Sequence, residues 1–177
     1  MSAHATSSHF ESSHVSSATA ATYLWAVTRL FIGWEFLWAF VDKAFGLGHE
    51  TTAAHAWLVG GSPTKGFLSG AAGPFAGFYH AIAGAPLVNW LFMLGLLGVG
   101  LALLFGVGKW IGSIVGAVML VLMWSAVLPT PNNLFMDDHI VYAVVLIGLA
   151  LVGANETIGL GKWWNQTGLV RRFPWLA

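Results

Sequence analysis

The chain has 177 residues, of which only seven are basic and seven acidic, while 57% are hydrophobic and none is cysteine. Because a soluble domain carries roughly 25% charged residues, this composition all but excludes a soluble globular protein and predicts an integral membrane protein. The balanced charge leaves no basic surface for nucleic acid, and the lack of cysteine excludes disulfides, thiolate nucleophiles and cysteine-ligated metal centres.

Residues 1–21 form a segment rich in Ser, Ala and His that contains no lysine or arginine. It lacks the basic start of a signal peptide and has no apolar face to bury, so it is predicted to be a disordered tail. His4, His9 and His14 recur at intervals of five residues, which leaves weak metal binding as an alternative. We expect no metal site elsewhere in the chain.

Four apolar stretches follow the tail and predict membrane-spanning helices within a transmembrane domain of residues 22–157. They cover residues 22–45, 87–107, 109–128 and 139–157. In the third stretch, Gly112 and Gly116 form a small-residue pair that permits close helix contact. The predicted fold is all-α, an integral membrane four-helix bundle with a long structured outer loop between the first two helices.

The connections differ in length and composition. The loop over residues 46–86 is too long for a simple turn, and its pattern predicts short helical pieces at residues 52–59 and 73–83. The last segment, residues 158–177, combines tryptophan and phenylalanine with three basic residues. Such a composition is typical of an anchor at the membrane interface.

The positions of the basic residues predict an orientation in the cell membrane. Four spans place both termini and the turn after the second span on one side. That side holds most of the basic residues: Lys109, Lys162, Arg171, Arg172 and, at the end of the first span, Arg29. The opposite side has Lys43 and Lys65. Both termini are therefore predicted to be cytoplasmic.

The first span carries ionisable residues, which are costly inside a membrane and face the protein interior, a partner or a cavity. Glu35 is predicted near the middle of this span, within about 20° of Asp42 around the helix and beside Trp38. Two interpretations of Glu35 are open: a proton-handling carboxylate in a pocket, or a structural residue paired with Arg29 or a polar group of another helix. The structural interpretation is favoured.

A second group of ionisable residues is predicted at the outer side: Asp42, Lys43, His80, Asp137, Asp138 and His139. Carboxylates beside an imidazole can pass protons to a redox substrate at the membrane surface. Asp137 and Asp138 also suit a simpler role as caps at the start of the fourth helix, which we favour for them. For His139 the two roles are evenly balanced.

The histidines and tryptophans indicate whether the chain could bind haem or another ring system. Haem between membrane helices needs facing histidines, whereas the histidines after the tail all belong to the outer loop or to the outer end of a helix, which argues against haem. Tryptophans in membrane helices more often pack or anchor than bind a ring. Trp38, which shares a face with Glu35 and Asp42, is the best candidate for packing against a bound ring.

Four stretches resemble the DoxX/DoxD family of small four-helix membrane proteins: RLFIGWEFLWAFVDKAFGLG, WLVGGSPTKGFL, WLFMLGLLGVGLALLFGVG and DDHIVYAVVLIGLAL. The resemblance covers residues 23–172. Members include the membrane subunit of thiosulfate:quinone oxidoreductase, so the resemblance implies delivery of electrons to membrane quinone, with thiosulfate or another sulfur compound as donor. The positions that match are Arg29, Gly33, Lys43, Gly46, Gly60, Ser62, Pro63, Thr64, Asp138 and His139.

The resulting hypothesis is a DoxX-like subunit of a quinone-linked oxidoreductase. Its catalytic, proton-handling residues would be Glu35, Asp42, Asp138 and His139, and its quinone-binding residues Arg29, Trp38, Lys43 and His80. The alternative is a non-catalytic accessory or anchor subunit of a larger membrane complex. In both cases we expect membrane lipid and other subunits as partners. A transporter ranks third, because four helices would have to oligomerise to form inverted repeats.

Overall fold

The computed structural model describes residues 3–177, with side chains from Ser17 onward. Within this part the chain is helical and contains no strand. The α-helices in chain order are α1 (Ala3–Phe45), α2 (Lys65–Ser69), α3 (Ala76–Ile82), α4 (Pro86–Phe105), α5 (Lys109–Val127), α6 (Asp138–Leu151), α7 (Gly161–Asn165) and α8 (Gly168–Arg172). Short 3₁₀ turns lie at Ala53–His55, Trp57–Val59 and Pro174–Leu176.

Three helices in the described residues are long and apolar enough to cross a membrane: Ser17–Phe45 of α1, α4 and α5. The prediction of an all-helical membrane protein is confirmed at this level. The predicted fourth span differs, because α6 has 14 residues and ends at Leu151. Its length is about 21 Å, against about 30 Å for the hydrocarbon core. The chain then turns at Gly153, whose φ of 65° favours glycine.

The first helix begins before Thr22, where the sequence places the start of the span. Residues 17–21, which composition assigns to the disordered tail, are helical. Ala18, Ala20 and Ala21 have high helix propensity, which supports the extension locally. The helix extends back to Ala3, so the segment predicted as a tail is helical from that residue. The side chains of residues 1–16, including the regularly spaced histidines, lie outside those that the structure describes.

The long helices pack as antiparallel neighbours around one core. The most extensive contacts join α1 to α4 and α5 to α6, and α4 packs against α5 between them. Met93 of α4 and Leu146 of α6 are completely buried, and Phe36 and Leu120 complete the core from α1 and α5.

Glycines bring these helices close together, as the pair in α5 predicts. A Cβ atom at Gly116 would lie 2.8 Å from Cδ1 of Leu146, and one at Gly112 would lie 3.0 Å from Cβ of Ala102. The predicted role of the small-residue pair is thus confirmed for the contacts of α5 with α6 and α4.

Two contacts set the register of α1 against α4. A Cβ atom at Gly33 would lie 3.0 Å from the backbone nitrogen of Leu104, and one at Gly100 would lie 2.8 Å from that of Leu37. Residues of the two antiparallel helices can therefore be matched in depth along the bundle.

This register gives the level of Glu35 relative to α4. The middle of α4, near Leu96, is level with Asp42, whereas Glu35 is level with Ala102, about 5 Å from the C-terminal end of α4. Within its own apolar stretch, Ser17–Phe45, Glu35 lies four residues, or about 6 Å, from the middle, so its depth in a membrane stays a prediction. α1 ends at Phe45, as predicted, at a level just past the middle of α4.

Residues 46–85 fold back beside the first half of α4. We call this end of the bundle, with the start of α6, the loop end, and the opposite end, with residues 152–177, the terminal end. The predicted helical piece at residues 52–59 is a pair of 3₁₀ turns, and the piece at residues 73–83 contains α3. The sequence did not predict α2, which follows the break at Gly60.

Candidate functional site

Asp42 is the most deeply buried of the predicted site residues, with 1% of its surface exposed. Its carboxylate accepts hydrogen bonds from the backbone N–H groups of His49 (3.3 Å), Glu50 (3.0 Å) and Thr51 (2.9 Å). These donors have no helical partners, and they lie at mid-depth of the bundle. Asp42 therefore holds the returning loop, since irregular backbone at membrane depth has to be satisfied by the protein.

Lys43 and Trp38 contact the same returning loop. The Nζ of Lys43 lies 2.7 Å from Oε2 of Glu50. The ring of Trp38 stacks at a tilt on Trp34, with 5.8 Å between centroids, and meets the edge of His49 at 5.1 Å. Both predicted quinone-binding residues are thus engaged with the loop or with their own helix.

Glu35 projects from the outward face of α1. It is exposed, and its neighbours on this face are Phe31 and Trp34, whose exposed fractions are 69% and 55%. Among the described side chains none forms a hydrogen bond or ion pair with Glu35. Within the described residues the predicted pocket around Glu35 and Asp42 is therefore not formed, because the returning loop covers Asp42 and leaves Glu35, on the same side of α1, exposed.

Arg29 lies at the terminal end and has a structural task. Its guanidinium donates hydrogen bonds to the carbonyl oxygens of Leu103 and Ile158, and to that of Leu104 at 3.3 Å. Two of these carbonyls belong to the last turn of α4, where helical partners are lacking. Arg29 caps α4 and ties residues 152–160 to it, far from the loop-end residues with which it was grouped.

His80 and its neighbour Tyr79 attach α3 to the rest of the loop end. A ring nitrogen of His80 lies 2.8 Å from the carbonyl oxygen of Ala71. The hydroxyl of Tyr79 donates to the carbonyl of Leu122 at 2.9 Å and also bonds to the hydroxyl of Ser125, both on α5.

At the start of α6, three ionisable side chains form a cluster: Asp137, Asp138 and His139. Asp137 is the N-cap, and its Oδ1 accepts from the N–H of Ile140 at 3.3 Å. The Nδ1 of His139 lies 2.8 Å from Oδ2 of Asp137 and 3.5 Å from Oδ1 of the exposed Asp138. The capping role predicted for Asp137 is confirmed. The oxygen and nitrogen atoms of these three side chains that could bind a metal lie within 4.8 Å of one another. Capping, together with the attraction of carboxylates to the positive end of the helix dipole, already explains this spacing.

The six ionisable residues predicted at the outer side all lie at the loop end but form separate groups. Across residues 17–177 no hydrogen bond or ion pair links Asp42 and Lys43 with His80 or with the cluster at the start of α6. Each group serves the segment on which it lies.

Sequence reasoning missed Asn89, which anchors the loop to α4. Its Oδ1 accepts from the hydroxyl of Thr64 (2.7 Å), the N–H of Thr64 (3.2 Å) and the hydroxyl of Ser62 (3.2 Å), while its Nδ2 donates to the carbonyl of Gly84 at 3.3 Å. The available signal was the position of an asparagine inside the apolar run PLVNWLFML. A buried amide in a span has to find such partners.

An apolar groove of about 290 Å³ runs between α4 and α5 on their outer side. Small residues form its floor, among them Gly95, Gly98 and Ala102 of α4 and Gly112 of α5, and Trp164 lies at its terminal end. It extends about 12 Å along α4. The groove is separate from every ionisable residue predicted to handle protons.

Comparisons with protein-family profiles, curated proteins and solved structures find no match to this chain. The fold therefore defines the class: a helical protein with three helices that are long and apolar enough to cross a membrane.

Proposed function

We propose that this protein is a non-catalytic accessory subunit of a larger membrane complex, to which it binds through the outward face of α1. The observation that carries the proposal is the position of Glu35. An ionisable side chain within a span is costly unless a partner satisfies it. Glu35 lies among exposed apolar side chains and has no partner within the described chain.

The partner we propose is a membrane helix that presents a hydrogen-bond donor or a cation to Glu35. The exposed apolar residues along this face supply the packing surface: Tyr23, Leu24, Phe31 and Trp34. The engagement of the other ionisable residues supports this interpretation, because Arg29, Asp42 and Asp137 hold backbone groups of the fold.

The finer architecture in this proposal is a four-helix membrane bundle with both termini in the cytoplasm. α6 packs along α5 and places Leu146 and Leu149 in the shared core, which supports it as a fourth, short crossing. The resemblance to the DoxX family points to a quinone-linked redox complex as the assembly.

The proposal is tested with Glu35→Gln and Glu35→Leu in the native host membrane. Complexes are extracted in a mild detergent, and their sizes are compared by native electrophoresis and mass spectrometry. We expect the wild-type chain in a larger assembly, a weakened assembly with Glu35→Gln, and free chain with Glu35→Leu. Glu156→Gln, which removes an exposed carboxylate outside the long helices, is the control and keeps the wild-type size. Wild-type size in both Glu35 variants would refute the proposal.

A second candidate function, direct quinone binding, is favoured by the groove between α4 and α5. An isoprenoid tail is long and apolar, which suits a groove lined by small apolar residues beside a tryptophan ring. In this version the chain binds the quinone tail, and a partner subunit supplies the redox chemistry.

A further inference from the structure

The side of α1 that carries Glu35 continues onto the returning loop. Asp42 lies about two turns further along the same side of the helix, and its carboxylate holds the backbone N–H groups of residues 49–51. His49 and Glu50 therefore lie over Asp42, on the side on which Glu35 is exposed. Seven residues of α1 separate Glu35 from Asp42, so this part of the loop lies about 10 Å from Glu35 along the helix.

Aromatic rings join Glu35 to the loop. The rings of Trp34 and Trp38 lie 5.8 Å apart, and the ring of Trp38 meets the edge of His49 at 5.1 Å. Trp34 is 55% exposed beside Glu35, and His49 is exposed on the loop. These residues form one continuous surface, which we call the α1–loop strip: Trp34, Glu35, Trp38, His49 and Glu50.

The loop part of this strip is polar at mid-depth of the bundle. Asp42 is level with the middle of α4, and the contact of Gly95 with Met119 places the middle of α5 at the same level. A bilayer centred on α4 and α5, the two most apolar spans, puts Glu50, whose side chain is 77% exposed, in the hydrocarbon core. Non-helical backbone and exposed charge at that depth have to be covered by protein or by water.

The strip and its surroundings carry an excess of negative charge. Within residues 31–51, three carboxylates, on Glu35, Asp42 and Glu50, stand against one ammonium group, on Lys43. Lys43 pairs with Oε2 of Glu50, whose Oε1 accepts no hydrogen bond from the described part of the chain. Glu35 and Oε1 of Glu50 are therefore open to cations of another molecule, and a complementary surface brings positive charge to both.

We propose that one transmembrane helix of a partner subunit covers the whole α1–loop strip and presents two cationic side chains, one to Glu35 and one to Glu50. This inference rests on the proposed function and adds to it the loop as part of the interface. The two cations are about seven residues apart, because that spacing keeps both on one side of a helix and spans about 10 Å. Since Glu35 and Glu50 are exposed within the described chain, the wall opposite them has to come from another molecule.

The proposal is tested by site-specific photo-cross-linking in the native host membrane. The photoreactive amino acid p-benzoylphenylalanine replaces Trp34 in one variant and His49 in a second, and mass spectrometry maps the cross-linked peptides. We expect adducts from both positions with one transmembrane segment of one protein, at sites about seven residues apart, each within a turn of a lysine or arginine. Val144, 68% exposed on α6 outside the strip, is the control position and should give no adduct with this segment.

The outcomes separate this inference from the proposed function. Adducts from Trp34 without adducts from His49 would overturn the extension to the loop and leave the proposed function standing. No adduct from either position would overturn both. A segment without cations near the two sites, a second copy of this chain, or an equal yield from Val144 would refute the partner helix described here.

Glu50→Gln tests the second cation. We expect the assembly that survives mild detergent extraction to fall about fivefold, because the cation of the partner loses its carboxylate. Glu156→Gln, at the terminal end, is the control and should leave the assembly unchanged. The melting temperature of the purified chain without its partner should be equal for wild type and Glu50→Gln, since an exposed ion pair adds little to the fold. A lowered melting temperature with an unchanged assembly would refute the second contact.

Discussion

At the scale of single residues, the charged side chains of this protein divide according to what they face. Asp42 faces backbone donors, Arg29 faces backbone carbonyls, and Glu35 faces away from the fold. Arg29 donates to carbonyl oxygens that lack helical partners at the end of α4, and Asp42 accepts from N–H groups of the loop that follows α1. The charged residues of α1 thus differ in role: Asp42 and Arg29 stabilise the fold, whereas Glu35 is left for the binding that we propose.

Asp42 offers the sharpest stability prediction. Asp42→Ala leaves three backbone N–H groups at mid-depth without an acceptor, and we expect a loss of about 2 to 4 kcal/mol in the free energy of unfolding. Asp42→Asn, which retains one acceptor oxygen, should lose less. Chemical unfolding in detergent measures both variants, and hydrogen exchange at residues 49–51 should accelerate.

The control for this measurement is Asp138→Asn. The side chain of Asp138 is 72% exposed, so its stability should remain within about 0.5 kcal/mol of wild type. If Asp42→Ala were as stable as this control, Asp42 would not hold the loop.

At the scale of elements, close helix contacts and an open groove lie on opposite sides of α4. Gly100 on the inner side allows the backbone of α1 to approach, while a side chain at Gly98 on the outer side would meet no atom within 4 Å. Glycines two positions apart in the same helix therefore have separate roles, one in packing and the other in leaving the groove free.

Filling the groove tests its role in binding. Gly98→Leu places a side chain in the groove at a position where its Cβ would meet no atom within 4 Å, and it should lower the quinone retained per purified chain at least fivefold. Gly148→Leu is the matched control, since it also meets no atom within 4 Å but lies on α6. Quinone is extracted from both variants and quantified by chromatography. Equal retention in the two variants would remove the groove as the quinone site.

Much of the arrangement of the helices could be predicted from the sequence. Long apolar runs located α4 and α5 within two residues, and the Gly112 and Gly116 pair indicated a real helix contact. The end of α1 at Phe45 also matched the prediction. The fold-back of residues 46–85 could not be predicted, because it depends on long-range partners. The bonds from Asn89 to Ser62 and Thr64 are such a case.

The candidate site was less predictable than the fold. Helical periodicity placed Glu35 near Asp42 around one helix, but it carries no information on which neighbours cover each residue. The grouping of Arg29 with loop-end residues failed for the same reason, since its carbonyl partners lie 74 and 129 residues further along the chain. Local signals did succeed at Asp137, where a cap depends on residues three positions apart.

At the scale of the whole molecule, the two ends of the bundle differ in composition. The terminal end carries Lys109, Lys162, Arg171 and Arg172, and the loop end carries Lys43 and Lys65. From this distribution of basic residues we predict that the terminal end faces the cytoplasm.

This orientation is measurable because the chain contains no native cysteine. We expect a membrane-impermeant maleimide to label Asn132→Cys in sealed right-side-out vesicles and to label Gln166→Cys only after lysis. Both positions are exposed, so accessibility within the fold is matched. The reverse pattern would invert the proposed orientation, and labelling of both in sealed vesicles would place the two ends on the same side.

The attachment of the loop to Asp42 also bears on how the chain enters the membrane during synthesis. The three amides that satisfy this carboxylate follow it by only seven, eight and nine residues, and the Glu50 that pairs with Lys43 follows by seven. Two opposite charges at the end of α1 therefore acquire their partners as soon as the next short stretch leaves the ribosome. Insertion of α1 and closure of its loop can proceed as one local event, without waiting for α4, α5 or α6.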